Sequence, residues 1–126
     1  MTDFTTHPPF DLEEQRRGDV TILFARGRIE KRELGAIETA INRLLQVGRW
    51  RVVLDLSEAD DLSSLTAADL VATVELFRPN GGEILVSGLS HPVDDIFRAI
   101  DPNNKMKRQS DVLSAIKQLT GRSGPS

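Results

Sequence analysis

Two runs of nearly uninterrupted apolar residues constrain the fold of this chain more than any other feature. The stronger run, residues 50–56, reads Trp-Arg-Val-Val-Leu-Asp-Leu, and the second, residues 83–89, is built around Ile84-Leu85-Val86. A strand that is apolar on both faces fits the middle of a sheet that other elements cover. We therefore predict a fold built around buried central strands.

Segments with other periodicities surround these two runs. Apolar residues at helical spacing predict helices at 31–47 and from about 64 to 77, and two more helices begin near Ser90 and Ser110. Further strands are predicted at 20–26 and, at the edges of the sheet, at 10–17 and 105–109. Strands that alternate with helices indicate an α/β protein whose sheet is covered by helices on at least one face.

The length of 126 residues fits one domain with a sizeable core. We expect that domain to span residues 10–120, with a flexible leader at 1–9 and a flexible tail at 121–126. A net charge of −3 gives no basic footprint for nucleic acid. No apolar run approaches the roughly 18 residues of a bilayer span, and the first residues do not resemble a secretory signal. A bacterial, cytoplasmic protein without direct membrane insertion is expected.

Side chains that commonly support catalysis are scarce. The chain lacks cysteine and has two histidines, His7 and His91, far apart in sequence, so we expect no metal site and no cofactor. Glycine-rich phosphate-binding motifs are absent as well. The pairs Asp60-Asp61 and Asp94-Asp95 are adjacent residues, which diverge on a helix or strand and do not form an acid–base pair. The sequence therefore predicts a protein that is not an enzyme.

Three hydroxyl residues, Ser63, Ser64 and Thr66, lie at the predicted start of the second helix. One of them can cap the helix by accepting a hydrogen bond from its first N–H groups. An exposed hydroxyl at a helix start is also where an added phosphate acts strongly, since the helix dipole favours negative charge there. Both readings, cap and phosphorylation switch, remain open for Ser63 and Ser64.

Three segments in order resemble the STAS domain family, named for sulfate transporters and anti-sigma factor antagonists. Residues 27–30, Gly-Arg-Ile-Glu, are similar to the family's Gly-x-Leu-Asp. The strand at 52–56 and the following Leu62-Ser63-Ser64 resemble the strand that leads to its Asp-Ser-Ser-Gly-Leu motif, and residues 81–86 resemble its Gly-Gly turn and fourth strand. The resemblance covers about residues 10–120. It implies a mixed sheet of four to five strands with about four helices packed mainly on one face.

In the antagonist branch of the family, the loop and helix start after the third strand bind a histidine-kinase-like anti-sigma factor. That partner phosphorylates a serine there, and the phosphorylated antagonist is released. Matching the motif without gaps places the phosphoacceptor on Ser64, with Ser63 second and Thr66 third. The motif is divergent, because its Asp and Gly are both missing. The residues expected at the partner surface are Glu30, Asp61, Ser63, Ser64, Leu65 and Thr66.

Purely structural roles are alternatives to some of these assignments. Leu65 fits simple surface exposure at a helix start as well as partner contact, and Glu30 fits a first-turn helix charge. The main functional prediction is a partner-switching module of the anti-sigma antagonist type. The alternatives are a STAS scaffold or cytoplasmic transporter accessory that does not switch, and an enzyme or small-ligand binder, which would need convergent polar groups at the strand ends.

Overall fold

The computed structural model describes residues 9–121, apart from the side chains of Asp61, Asn80 and Gly121. The expected leader and tail therefore lie, except for Pro9 and Gly121, outside the described residues. Within that range the chain forms six strands and four α-helices. They are β1 Asp11–Arg17, β2 Val20–Arg28, α1 Lys31–Gln46, β3 Arg51–Asp55, β4 Ala59–Asp61, α2 Ser64–Phe77, β5 Glu83–Ser87, α3 His91–Ile100, β6 Arg108–Gln109 and α4 Val112–Gly121.

The strands form one mixed sheet in the order β1-β2-β3-β5-β6. β1 pairs antiparallel with β2, and the other neighbours along this path pair in parallel. Each parallel crossover moves one step in the same direction across the sheet. Because such crossovers share one hand, they place their helices on the same face.

Two apolar layers follow from this topology. On one face, α1, α2 and α3 cover the sheet, and Phe97 of α3 is completely buried there. On the other face, α4 alone packs against Ile22, Val53 and Leu85 through Ala115 and Leu119. The α/β sheet with helices mainly on one face is the arrangement that the sequence predicts.

The sixth strand is the main departure from the expected four to five. β4 (Ala59–Asp61) lies in the segment between the third strand and the second helix, which the family resemblance implies is a loop. β2 is nine residues long, and Phe24 is its last residue that pairs with β3. The end of β2 beyond Phe24 therefore has no β3 neighbour on that side. β4 fills the gap by pairing with Gly27 and Arg28, and the Gly27 N–H donates to the Glu58 carbonyl at 3.0 Å.

Parallel strands bring the starts of the helices to one side of the molecule. The carboxyl ends of β2, β3, β5 and β6 lie along what we call the carboxyl edge of the sheet, and each of the four helices begins after one of these strands or after β4. Helix starts carry unsatisfied N–H groups and a partial positive charge. The carboxyl edge therefore gathers the residues from which a site can be built.

Candidate functional site

The start of α2 is organised by one hydroxyl. Ser63 is the residue before the helix, and its Oγ accepts a hydrogen bond from the Thr66 N–H at 3.1 Å. The Ser63 hydroxyl lies 3.1 Å from Thr66 Oγ1, to which it donates, and the Ser63 carbonyl accepts from the Ala67 N–H at 2.9 Å. Ser63 is therefore the N-cap of α2, the first of the two roles that the sequence left open.

Ser64 and Leu65, the first two residues of α2, face outward. Ser64 is exposed, and its hydroxyl makes no hydrogen bond with any part of the chain that the structure describes. The Leu65 side chain is 76% exposed, the largest value among the exposed large hydrophobic residues of the described chain. A free hydroxyl beside an exposed apolar side chain thus occupies the positive end of a 14-residue helix.

Thr66 and Leu62 point the other way. Thr66 is 8% exposed and Leu62 is 4% exposed, and Leu62 belongs to the apolar layer beneath α1 and α2. The Thr66 hydroxyl is used inside the cap. Of the three hydroxyls, Ser64 alone is both exposed and unengaged within the described residues.

A buried carboxylate that sequence reasoning did not single out holds the segment leading to the site. Asp55, 4% exposed, ends β3, and its Oδ1 accepts from the N–H and the hydroxyl of Ser57 at 2.9 and 2.5 Å. Its Oδ2 accepts from the buried Ser87 hydroxyl of β5 at 3.0 Å. These bonds connect the end of β3 both to β5 and to the turn that precedes β4. The available signal was one carboxylate within the apolar run of residues 52–56.

Gly88 completes this arrangement. It adopts a φ of +75°, and a Cβ there would lie 2.7 Å from the Cβ of Ser57 and 3.0 Å from Asp55 Oδ2. The chain leaving β5 therefore passes against Ser57 at a distance that only glycine permits. The turn before β4 is therefore held by the Asp55 hydrogen bonds to Ser57 and by the packing of Gly88 against Ser57.

Glu30 lies at the same edge, at the residue preceding α1. Its backbone N–H donates to Glu33 Oε1 at 3.1 Å, and this hydrogen bond holds the pKa of Glu33 below its ordinary value. The exposed Glu30 carboxylate lies 3.6 Å from Arg28 Nε. Because the backbone of Arg28 pairs with that of Asp61, the end of β2 brings Glu30 toward the segment that precedes α2. The side chain of Asp61 itself is outside the described residues.

A second polar feature lies at the carboxyl edge, between α3 and β6. This cleft has a volume of about 900 Å³ and is lined by ionic groups. Asp94 lies 2.8 Å from Arg98 and 3.5 Å from Arg108, and the nearly buried Arg108 also approaches Asp101 at 3.8 Å. These opposite charges neutralise one another across the cleft. They tie α3 to the edge of the sheet.

Two structural features that other functions require are missing from the described part of the chain. No group of three or more His, Asp or Glu side chains is placed to hold a metal ion within residues 9–121, Asp61 aside. Over the same described residues, none of the helices has the length and hydropathy needed to cross a bilayer.

The fold and the α2 start together define a class of small α/β domain with a mixed sheet and helices mainly on one face. A family model of the STAS domain matches residues 11–115, which is most of the chain. The protein belongs to the STAS domain family, as the order of its motifs predicts. A search of curated protein sequences finds no match.

Solved structures with the same fold include regulators of sigma factors. An anti-sigma factor antagonist from Mycobacterium paratuberculosis is 18% identical with a TM-score of 0.75, over 89% of this chain and 95% of that one. RsbS from Moorella thermoacetica, with a serine-to-glutamate substitution, is 12% identical with a TM-score of 0.74, over 89% and 97%.

The phosphorylated form of SpoIIAA, a Bacillus cell fate determinant, is 12% identical with a TM-score of 0.62, over 88% and 99%. At these identities the likeness is one of fold. The chain therefore has a STAS fold that resembles those of anti-sigma factor antagonists.

Proposed function

We propose that this protein is a partner-switching regulator of the anti-sigma antagonist type. In this proposal it binds a histidine-kinase-like anti-sigma factor through the start of α2 and is released when Ser64 is phosphorylated. It acts by binding rather than by catalysis, in the cytoplasm of a bacterium. Membership of the STAS family and the antagonists among its structural neighbours support this proposal.

The observation that carries the proposal is the separation of the two serines. The Ser63 hydroxyl accepts the capping hydrogen bond of α2, whereas the Ser64 hydroxyl is exposed and makes no hydrogen bond within the described chain. A kinase needs a hydroxyl that can enter its active site without unfolding the substrate. Ser64 meets that requirement and Ser63 does not, because moving the Ser63 hydroxyl into a kinase active site would break its cap bond to the Thr66 N–H.

The same geometry explains how a phosphate would act. Phosphorylation adds a charge of about −1.5 to −2 near neutral pH. At the first residue of α2 this charge is compatible with the helix, because the dipole and free N–H groups favour it. At an interface that covers the exposed Leu65, the charge would have to lose its water. Release of the partner then follows while the fold persists.

The residues of the expected partner surface divide into two roles. We propose that Ser64, Leu65 and Glu30 contact the partner directly, together with Asp61. Ser63 and Thr66 contribute by fixing the direction in which Ser64 and Leu65 point, since their hydroxyls are used within the cap.

The test is phosphosite mapping on the protein purified from its native host, across growth and stress conditions. We expect a phosphate, about 80 Da, on Ser64. Ser64→Ala should abolish it, and Ser63→Ala should retain it on Ser64. Tagged Ser64→Ala should then capture a protein with a histidine-kinase-like ATPase domain, and tagged Ser64→Glu should not.

The opposite results are equally specific. A phosphate on Ser63, or a chain without phosphate in every condition, would contradict the switch at Ser64. A constant partner that both variants capture would favour the alternative of a scaffold or transporter accessory that does not switch.

A further inference from the structure

The outer edge of β1 is the longest open strand edge in the described structure. All seven residues of β1 pair in regular register with β2 on one side, and no described strand pairs on the other. Proteins usually protect such edges with short strands, charged side chains, proline or bulges. β6, at the opposite edge, has two residues. β1 has no proline and no bulge, and its five charged residues are of both signs, so they repel a second copy only in some registers.

The sequence of β1 is self-complementary in charge. It reads Asp-Leu-Glu-Glu-Gln-Arg-Arg, acidic in its first half and basic in its last two residues. In an antiparallel pair of two copies, the acidic half of one strand faces the basic half of the other. Opposite charges directly across a strand pair stabilise it.

One symmetric register places both arginines of β1 opposite glutamates. A two-fold axis perpendicular to a sheet keeps every side chain on its own face, so facing residues are both odd or both even in number. With the axis at Gln15, Gln15 faces its own copy. Glu14 then faces Arg16 and Glu13 faces Arg17, each pair occurring twice.

The neighbouring registers are unfavourable. With the axis at Glu13 or Glu14, a carboxylate faces its own copy at the centre of the interface, and with the axis at Arg16 a guanidinium does. Like charges directly opposite each other destabilise a strand pair. The charges of β1 therefore select the register centred on Gln15.

The basic residues of β1 are also available. The Arg17 side chain makes no hydrogen bond or ion pair with any described residue, and the one ion pair of the Arg16 side chain is with Glu14, 3.7 Å away. The carboxylates of Glu13 and Glu14 already contact Arg26 and Arg43, each at 2.8 Å, but a carboxylate has room for more than one donor. Arg17 is thus a charge whose partner a second copy would supply.

We propose that β1 is a self-association edge through which two copies of this chain form an antiparallel dimer centred on Gln15. The sheet then continues across the two-fold axis. The axis reverses the strand direction, so the carboxyl edges of the two copies point in opposite directions. Each α2 start stays open, and this proposal is independent of phosphorylation at Ser64.

Charge exchange tests the interface and its register together. The protein should show a concentration-dependent dimer by sedimentation equilibrium, and Arg17→Glu should abolish it, because residue 17 then faces Glu13 with like charge. Glu13→Arg should abolish it as well. An equimolar mixture of the two variants should recover the dimer as a heterodimer, because residue 13 faces residue 17 in both directions.

Arg32→Glu is the matched control, since it changes the net charge on an exposed part of α1 without touching β1. It should leave the dimer unchanged. A monomeric protein at every concentration would overturn the proposal, as would a mixture that stays monomeric when each variant is folded by circular dichroism.

A single cysteine gives a second, independent readout, because the chain has none. Gln15→Cys should form a disulfide dimer under mild oxidation, since residue 15 faces its own copy within the reach of a disulfide. Arg17→Cys, two residues away on the same face, should cross-link far more slowly. Equal cross-linking of the two variants would contradict the register.

Discussion

At the scale of single residues, three similar hydroxyls have three different roles because of where they lie. Leu62 is buried just before α2, so Ser63 falls at the cap, Ser64 on the outer face and Thr66 on the inner face. The sequence predicts that at least one of them caps the helix and leaves a phosphorylation switch open. It does not decide between Ser63 and Ser64, because that choice depends on a helix boundary that local patterns locate only to within a residue or two.

Alanine substitutions at the two serines should therefore change the stability of the protein by different amounts. Ser63→Ala is expected to lower the free energy of unfolding by about 1 kcal/mol, since it leaves the Thr66 N–H without its acceptor. Ser64→Ala should change it by less than about 0.5 kcal/mol, as at other surface positions. Urea denaturation followed by circular dichroism measures both. Equal losses for the two variants would mean that the serines share the cap.

The close contact at Gly88 makes a second prediction at this scale. Gly88→Ala places a Cβ against Ser57 and also imposes the left-handed backbone on an alanine. Gly48→Ala is the matched control, because Gly48 has a similar φ of +80° but open space around it.

The control should lose about 1–2 kcal/mol of stability from backbone strain. Gly88→Ala should lose a further 1–3 kcal/mol or so from the clash. Thermal and urea unfolding of the two variants give the comparison. Equal losses would show that the Ser57 contact adds nothing.

At the scale of elements, local sequence patterns locate helices and strands that have their own apolar periodicity. They miss elements that form only because a distant segment pairs with them. The helices and the strands β2, β3 and β5 have their own apolar patterns, so their positions follow from sequence. β4 has no such pattern: it is a strand because β2 extends past β3 and offers unpaired backbone groups there. The Asp55 bonds to Ser57 and Ser87 likewise depend on β3 and β5 being neighbours, which no local window contains.

The start of α4 yields a prediction about pH. Asp111 Oδ1 accepts from the Ser114 N–H at 2.8 Å, and this bond lowers the pKa of Asp111 below its ordinary value of 3.8. A carboxyl whose pKa is lower in the folded state stabilises the protein above its unfolded-state pKa. That contribution is lost as the pH falls through the folded-state value.

Asp111→Asn and Asp111→Ser keep a capping oxygen but do not titrate. Both variants should therefore show a weaker loss of stability than the parent protein in the acid range below the ordinary aspartate pKa. Urea midpoints measured across that range provide the test. A variant that keeps the full acid dependence of the parent would contradict this role for Asp111.

At the scale of the whole molecule, the order of the elements explains both faces of the sheet. Three crossovers in one direction place α1, α2 and α3 together, and α4, which is followed by no further strand in the described chain, is free to cover the other face. The alternation of strands and helices predicts the sheet and its class. The position of α4 on the second face could not be predicted, because it depends on the apolar surface that β2, β3 and β5 form together on that face.

The separation of Ser63 from Ser64 also has an evolutionary consequence. Since the cap depends on Ser63, selection on folding acts there and leaves residue 64 nearly unconstrained. A descendant of this chain could exchange the residue at 64 for alanine, aspartate or threonine and still fold. Under the proposed switch at Ser64, control of the protein could therefore be gained, altered or lost by single substitutions along a lineage, without passing through an unstable ancestor.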